Sequence, residues 1–330
     1  MQPFKDLTRP VSHGGDIVVT ARQLGCTPAD LIDMSSNLTP LGTDPLLLDH
    51  LAAQLPEIGY LPDSDSQQLL SIFSQIYQRE AGQILAGSGT TEFIFAIPAV
   101  IKAEKALIVG PTYADYQTAC NWARLPAEFY LPSAADDFRP DLRVLAMKIA
   151  GKELVFICNP NNPTGGLLSA STLHNFIASH PDSFFVIDES YLPFCEEPSL
   201  LSLPHLENLF ILTSFSKVYG IPGLRLGFLT ASKSQIKRLA THRRPWGVTR
   251  LAQLAGEYLL RHGEGIRQSL LTFLKEERPE FVRRLKGLPG TEVVHGAAHF
   301  ILCRLTGRTD AEGLRQGLLK KRIMIRNCHN

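Results

Sequence analysis

The chain has 330 residues, room for two domains of ordinary size, with 44% hydrophobic and 20% charged residues, a globular rather than a disordered balance. Its 33 Lys and Arg face 32 Asp and Glu, so no bulk charge draws it to nucleic acid or to an anionic membrane. The longest apolar run, Phe93 to Ile101, holds nine residues and contains Pro98, too short to span a bilayer.

Reading along the chain, the opening Met1-Gln2-Pro3-Phe4-Lys5-Asp6 lacks an apolar signal segment, which makes the cytoplasm the expected location. Residues 1–42 carry Pro10, Gly14, Gly15, Pro28 and Pro40 and read as an arm that joins a smaller domain. Asp65-x-x-Gln68 resembles a capping box, and Leu69, Phe73, Ile76 and Tyr77 then share one helical face. Four short apolar runs, Ala106–Val109, Leu154–Cys158, Phe184–Ile187 and Leu209–Leu212, read as strands buried on both faces, and Leu226–Leu229 as a fifth. Such runs suit an open, mainly parallel sheet covered by helices, so the fold class is α/β. Residues 43–235 form the expected large domain. After them the texture changes: a helical stretch from Leu251 to Leu274, a shorter one from Glu280 to Lys286 beyond Pro279, and a strand-like Phe300–Cys303. Residues 236–330 therefore read as a smaller α+β domain.

Six scattered cysteines, Cys26, Cys120, Cys158, Cys195, Cys303 and Cys328, form no Cys-x-x-Cys pair, and the ten histidines include no His-Glu-x-x-His. Neither a disulfide framework nor a metal site is expected. The chemistry gathers instead after the strands, where open α/β sheets bind ligands. The run ending at Cys158 enters the amide-rich turn Asn159-Pro160-Asn161-Asn162-Pro163-Thr164-Gly165, the one ending at Ile187 enters Asp188-Glu189-Ser190-Tyr191, and the one ending at Leu212 enters Thr213-Ser214-Phe215-Ser216-Lys217. Gly87-Ser88-Gly89-Thr90-Thr91 precedes a helical run and offers free backbone N–H groups to a phosphate. An amine, an acid for a ring nitrogen and a phosphate cradle together are the parts pyridoxal phosphate chemistry needs.

In this order and spacing, Asn159–Gly165, Asp188–Tyr191 and Ser214–Gly227 resemble the signatures of fold-type I pyridoxal-phosphate enzymes of the class I/II aminotransferase group. The resemblance runs from about residue 10 to the last residue. It implies a large domain on a mainly parallel sheet, a smaller α+β domain, and a homodimer. It implies that Lys217 carries pyridoxal 5′-phosphate covalently and shuttles protons, while Asp188 pairs with the pyridine nitrogen. Asn162 and Tyr191 are then expected at the phenolic oxygen and Tyr113 on the ring face. Thr90, Thr91, Ser214, Ser216 and Arg225 are expected at the cofactor phosphate.

Within the group, His13-Gly14-Gly15, Ser36-Asn37-x-x-Pro40-Leu41-Gly42, Ile221-Pro222-Gly223-Leu224-Arg225, Pro245-Trp246-x-Val248 and Ile325-Arg326-Asn327-Cys328 resemble the branch that decarboxylates L-threonine O-3-phosphate to aminopropanol phosphate in cobalamin biosynthesis. Histidinol-phosphate aminotransferases are its relatives, and a non-catalytic pyridoxal-phosphate-binding protein is the alternative of another class. Both enzyme readings imply a small phosphorylated amino compound as substrate. Arg326 is expected at its phosphate, suited by its bidentate fork, with His13, Gly14, Gly15 and Asn37 lining the same site. The family pattern continues with a strand bearing an arginine for the substrate carboxylate and a final helix, neither of which lies within these 330 residues. A tyrosine directly before Pro-Asp is usual in the family; here Leu61 separates Tyr60 from Pro62-Asp63.

Overall fold

In a computed structural model the described residues are 14–328. A short strand, β1 (Ile32–Met34), is followed by seven that build one sheet: β2 (Ile84–Gly87), β3 (Lys105–Val109), β4 (Ala127–Tyr130), β5 (Glu153–Cys158), β6 (Phe184–Asp188), β7 (Leu209–Ser214) and β8 (Gly227–Thr230). Three more follow, β9 (Thr291–Val293), β10 (Cys303–Leu305) and β11 (Ile323–Ile325). The large sheet has the order β2-β8-β7-β6-β5-β3-β4. Neighbours from β4 to β7 run parallel, and β8 alone runs antiparallel, to β7 and to β2. Every residue of β5 and β7 is buried, which is why both read as unbroken apolar runs.

The helices are α1 (Ile17–Gln23), α2 (Pro45–Ala53), α3 (Gln67–Tyr77), α4 (Thr90–Val100), α5 (Asp115–Trp122), α6 (Leu142–Ala146), α7 (Ala170–Ala178), α8 (Lys233–Ala240), α9 (Arg250–Lys286) and α10 (Ala311–Leu319). Alternate strand residues feed two cores, one on each face of the sheet. Val155, Ile157, Phe185 and Phe228 pack with α3, α7 and the start of α9, while Leu154, Phe156, Val186 and Leu229 pack with α4, α5 and α8.

The chain divides into two compact units. One comprises Leu38–Arg283 with Val293–Leu302; the other comprises 14–37, Arg284–Glu292 and 303–328 among the described residues. The expected boundaries at 42 and 235 therefore shift. Helix α8 and most of α9 belong to the large unit, because Ile236, Leu239, Ala252, Ala255 and Leu259 are buried in its two cores. In the smaller unit β1 and β11 pair in parallel, and β9 pairs with β10.

Three local expectations are corrected. Asp65 does not cap α3: the Asp63 carboxylate accepts the Gln67 N–H at 2.6 Å, and Ser66, at φ 54°, enters the helix. The two helical stretches around Pro279 are one 37-residue helix. Proline removes one backbone donor, and the adjacent Arg278 ties this stretch to the carbonyl of Ala298 at 2.8 Å. Phe300–Leu302 is not strand, since Phe300 turns its ring edge-on to Tyr191, 4.9 Å away, and only Cys303 of that run enters β10.

Phe228 is fully buried, with ring contacts to Phe73 at 4.5 Å and Phe215 at 5.0 Å. Phe228→Ala should lower the unfolding free energy of the large unit by about 3–5 kcal/mol, read from denaturant titration.

Candidate active site

Register brings the chemistry-bearing strand ends to one edge. Cys158 lies opposite Asp188, Asp188 opposite Leu212, Ser214 opposite Gly227, and Gly227 opposite Gly87. The three loops singled out in sequence, and the glycine-rich turn after β2, thus leave the large sheet at the same side.

Asp188 is 4% exposed at the last position of β6. Its Oδ1 accepts the Ser190 N–H at 2.9 Å, and its Oδ2 accepts the hydroxyl of Tyr116 at 2.8 Å. Burial raises its proton affinity, while Ser190, Tyr116 and the Lys217 charge oppose that rise. Tyr116 was not singled out in sequence. It stands three residues after Tyr113 on α5, fully buried, its ring stacked on Phe156 at 5.2 Å and edge-on to Tyr113 at 5.7 Å. The i, i+3 spacing of two tyrosines was the available signal. One helix start thus positions both an aromatic face, Tyr113, and the partner of the buried acid.

The Asn162 amide Nδ2 lies 3.5 Å from the Tyr191 hydroxyl oxygen, both side chains buried. Tyr113 donates its hydroxyl to Asp115 at 2.6 Å, and burial holds that phenol strongly protonated. Lys217 follows β7 by three residues in a turn, and its carbonyl accepts the Thr39 N–H at 3.1 Å.

The cradle assembles around α4. Gly89, at φ +76°, precedes Thr90 and Thr91, the first residues of that helix. A Cβ on Gly89 would lie 2.6 Å from an Arg225 guanidinium nitrogen, and one on Gly227 would lie 2.7 Å from Thr90 N. Only glycine lets the guanidinium and the helix start approach so closely. Ser214 and Ser216 are buried, and Ser216 Oγ lies 3.5 Å from the Leu226 carbonyl. Hydroxyls, free helical N–H groups and a guanidinium at one helix N-terminus suit a phosphate dianion. A desolvated carboxylate suits a cationic ring nitrogen, so the residues present fit a phosphorylated pyridine cofactor.

The expected substrate residues lie in the smaller unit, apart from His13, which is outside the described residues. There β1 and β11 end side by side, Met34 opposite Ile325, so Ser35 and Arg326 leave at the same edge. Gly14 is pressed against Ser35, where a Cβ would lie 2.0 Å from the Ser35 carbonyl oxygen. The Gly15 N–H donates to Ser35 Oγ at 3.0 Å. Asp33 holds this turn, accepting from Ser35 Oγ and Ser36 Oγ, each at 2.6 Å. Asn37 follows, half-buried. Arg326 Nε is buried without a hydrogen-bond partner among the described residues. Among those residues no group of His, Cys, Asp or Glu could hold a metal ion, and no helix is long and apolar enough to cross a membrane.

A glycine-lined helix start, a buried acid and a lysine share one edge of the large sheet, and residues 31–329 match the aminotransferase class I and II family. The chain belongs to that family, has its fold-type I architecture, and takes pyridoxal 5′-phosphate as cofactor. Over 328 residues it is 34% identical to the threonine-phosphate decarboxylase of Salmonella typhimurium, covering 97% of this chain and 88% of that protein. Over 302 residues it is 29% identical to the histidinol-phosphate aminotransferase of Ruminiclostridium cellulolyticum, covering 89% and 83%. The solved structure of L-threonine-O-3-phosphate decarboxylase from Porphyromonas gingivalis matches with a TM-score of 0.81 at 30% identity over 89% of each chain.

Borohydride reduction of the yellow holoenzyme should fix the cofactor's mass on the peptide containing Lys217; recovery on another lysine would reassign the attachment. Asp188→Ala should retain some cofactor and lower turnover by about a hundredfold or more, measured under cofactor saturation.

Proposed function

We propose that this chain is a pyridoxal-phosphate-dependent lyase that removes carbon dioxide from L-threonine O-3-phosphate, giving aminopropanol phosphate for cobalamin biosynthesis. The observation that carries a phosphate-ester substrate beyond the family is Arg326, while the choice of decarboxylation rests on the similarity given below. Its buried Nε lacks a partner among the described residues, and it stands at the paired ends of β1 and β11 beside the Ser35–Asn37 turn. A buried guanidinium donor without an acceptor calls for an anion, and its planar fork favours a phosphate ester. Similarity to two threonine-phosphate decarboxylases supports the same choice.

Once bound, the cofactor supplies an electron sink for the pair left when a bond to the substrate's α-carbon breaks. The chain's residues do the rest. Asp188 holds the ring nitrogen charged, braced by Tyr116 and Ser190. Asn162 and Tyr191 address the phenolic oxygen, Tyr113 covers one ring face, and Thr90, Thr91, Ser214, Ser216 and Arg225 take the cofactor phosphate. The Lys217 amine returns a proton to the α-carbon after carbon dioxide leaves. Arg326, with Gly14, Gly15 and Asn37, takes the substrate phosphate.

The deciding experiment incubates the holoenzyme with threonine phosphate, and separately with histidinol phosphate plus 2-oxoglutarate. Carbon dioxide in the first supports the proposal; glutamate in the second supports a histidinol-phosphate-type aminotransferase; neither product supports a non-catalytic cofactor-binding protein. Arg326→Ala should weaken threonine phosphate by about 2–4 kcal/mol and leave unphosphorylated threonine nearly unaffected. Equal losses would make Arg326 structural.

We also propose a homodimer working in the cytoplasm. The large unit exposes Leu46, Leu48, Leu55, Ile58, Tyr60 and Leu61 at 51–75%, an apolar stretch that water disfavours and a second copy would cover. Sedimentation at micromolar concentration should give twice the chain mass; a fully active monomer would refute this.

A further inference from the structure

The cradle at α4 contains an electrostatic oddity. Its third residue is Glu92, and an acid in the first turn of an anion-binding helix satisfies the helix dipole yet repels an arriving phosphate. Glu92 Oε2 accepts the Ser88 N–H at 2.6 Å, which sets the turn immediately before Gly89. Its other oxygen, Oε1, lies 3.3 Å from Nε of Arg243. The Arg243 guanidinium also donates to the carbonyl of Ala86, near the end of β2. Both side chains are mostly buried, at 17% and 26% exposure, and the space is tight: a Cβ on Gly87 would lie 2.9 Å from Glu92 Oε2. Arg225 approaches the other side of the turn at Gly89.

We propose that Arg243 and Glu92 are positioning residues for the cofactor phosphate. Glu92 fixes the Ser88–Gly89 turn, and Arg243 cancels the charge that Glu92 would otherwise turn against the phosphate. Arg225 is then the cation for the ligand and Arg243 the cation for the protein's own acid. In a partly buried setting an uncancelled carboxylate acts over several ångströms, so its effect falls on the phosphate group and spares the pyridine ring. This inference rests on the reading of the α4 N-terminus as the phosphate cradle.

The test measures dissociation constants of pyridoxal phosphate and of pyridoxal, which lacks the phosphate, for the full chain and four variants, by visible absorbance on reconstitution. Arg243→Ala should weaken pyridoxal phosphate about tenfold or more and leave pyridoxal nearly unchanged. Glu92→Gln/Arg243→Ala, which removes the repelling charge as well, should recover most of that loss. A merely structural Arg243 would weaken both ligands alike, and the second substitution would bring no recovery; either result overturns the proposal. Arg225→Ala tests the cradle separately: it should weaken pyridoxal phosphate selectively, and if it does not, the cradle reading itself fails. Should Arg243→Ala fail to fold, Arg243→Gln serves in the same comparison.

Discussion

A carboxylate stripped of water at the end of a central strand is a costly feature, and the surrounding structure is arranged around it. Asp188 keeps its side chain buried because a backbone N–H and a phenol supply donors to its two oxygens. Those donors come from different places, one from the β6 exit and one from α5. Both must be in register for the acid to face the sheet edge. Tyr116 reaches it only because its ring lies flat on Phe156, a β5 residue on the α5 face of the sheet. Packing in the core and polarity at the site are therefore the same constraint seen from two sides. The following residue is buried too: Glu189 has its affinity for a proton raised to a pKa of about 7 by burial, with Ser199 and the Leu200 N–H as donors. The two consecutive acids, one ending β6 and one just beyond it, are thus each given their own donors.

The loops beyond the strands are held by interlocking rather than by regular structure. The Ala297 N–H donates to the Gly165 carbonyl at 2.7 Å, and a Cβ on Gly296 would lie 2.6 Å from the Thr164 carbonyl oxygen. Arg267 donates to the carbonyls of Pro193 and Cys195 at 3.2 and 3.0 Å, and Arg278 serves Ala298 and Gly296 in the same way. Guanidinium forks suit this work because one side chain can satisfy two carbonyls that no strand or helix pairs. The long helix α9 thereby fixes the segments carrying Tyr191 and His299-Phe300, which explains why it belongs with the large unit.

What was legible in the sequence divides along physical lines. Strands buried on both faces write themselves as apolar runs, so five of the seven main-sheet strands could be read directly. The edge strand Ala127–Tyr130 has two of its four residues exposed and carries no such run, and Ile84–Gly87 merges into the glycine-rich turn. Asn162, Asp188, Lys217 and Arg225 could be named as candidates because each lies in or within four residues of a strand along the chain. Glu92 and Arg243 could not, since they lie 151 residues apart along the chain, and Tyr116, whose partner is 72 residues away, showed only its spacing from Tyr113. The misread cap of α3 has the same root: Asp63 and Asp65 offer the same chemistry two residues apart, and only backbone direction selects Asp63.

The two proposed anion sites differ in construction in a way that would match the tenure of their ligands. At the α4 N-terminus the donors are backbone N–H groups, buried hydroxyls and a guanidinium packed on glycine, elements that cost little entropy to hold in place because the fold already fixes them. Such a site suits a cofactor retained through many turnovers. At the ends of β1 and β11 the cation is a single arginine whose Nε lacks a partner among the described residues, beside a turn fixed by Asp33 through Ser35 and Ser36. A buried donor left waiting gains most when an acceptor arrives and loses most when it leaves, so the ligand's charge decides whether it stays. That dependence favours selection for a phosphate ester over its unphosphorylated counterpart without the tight retention a cofactor needs. In such a site the phosphate would fix which molecules enter, and the orientation about the α-carbon would be left to other contacts.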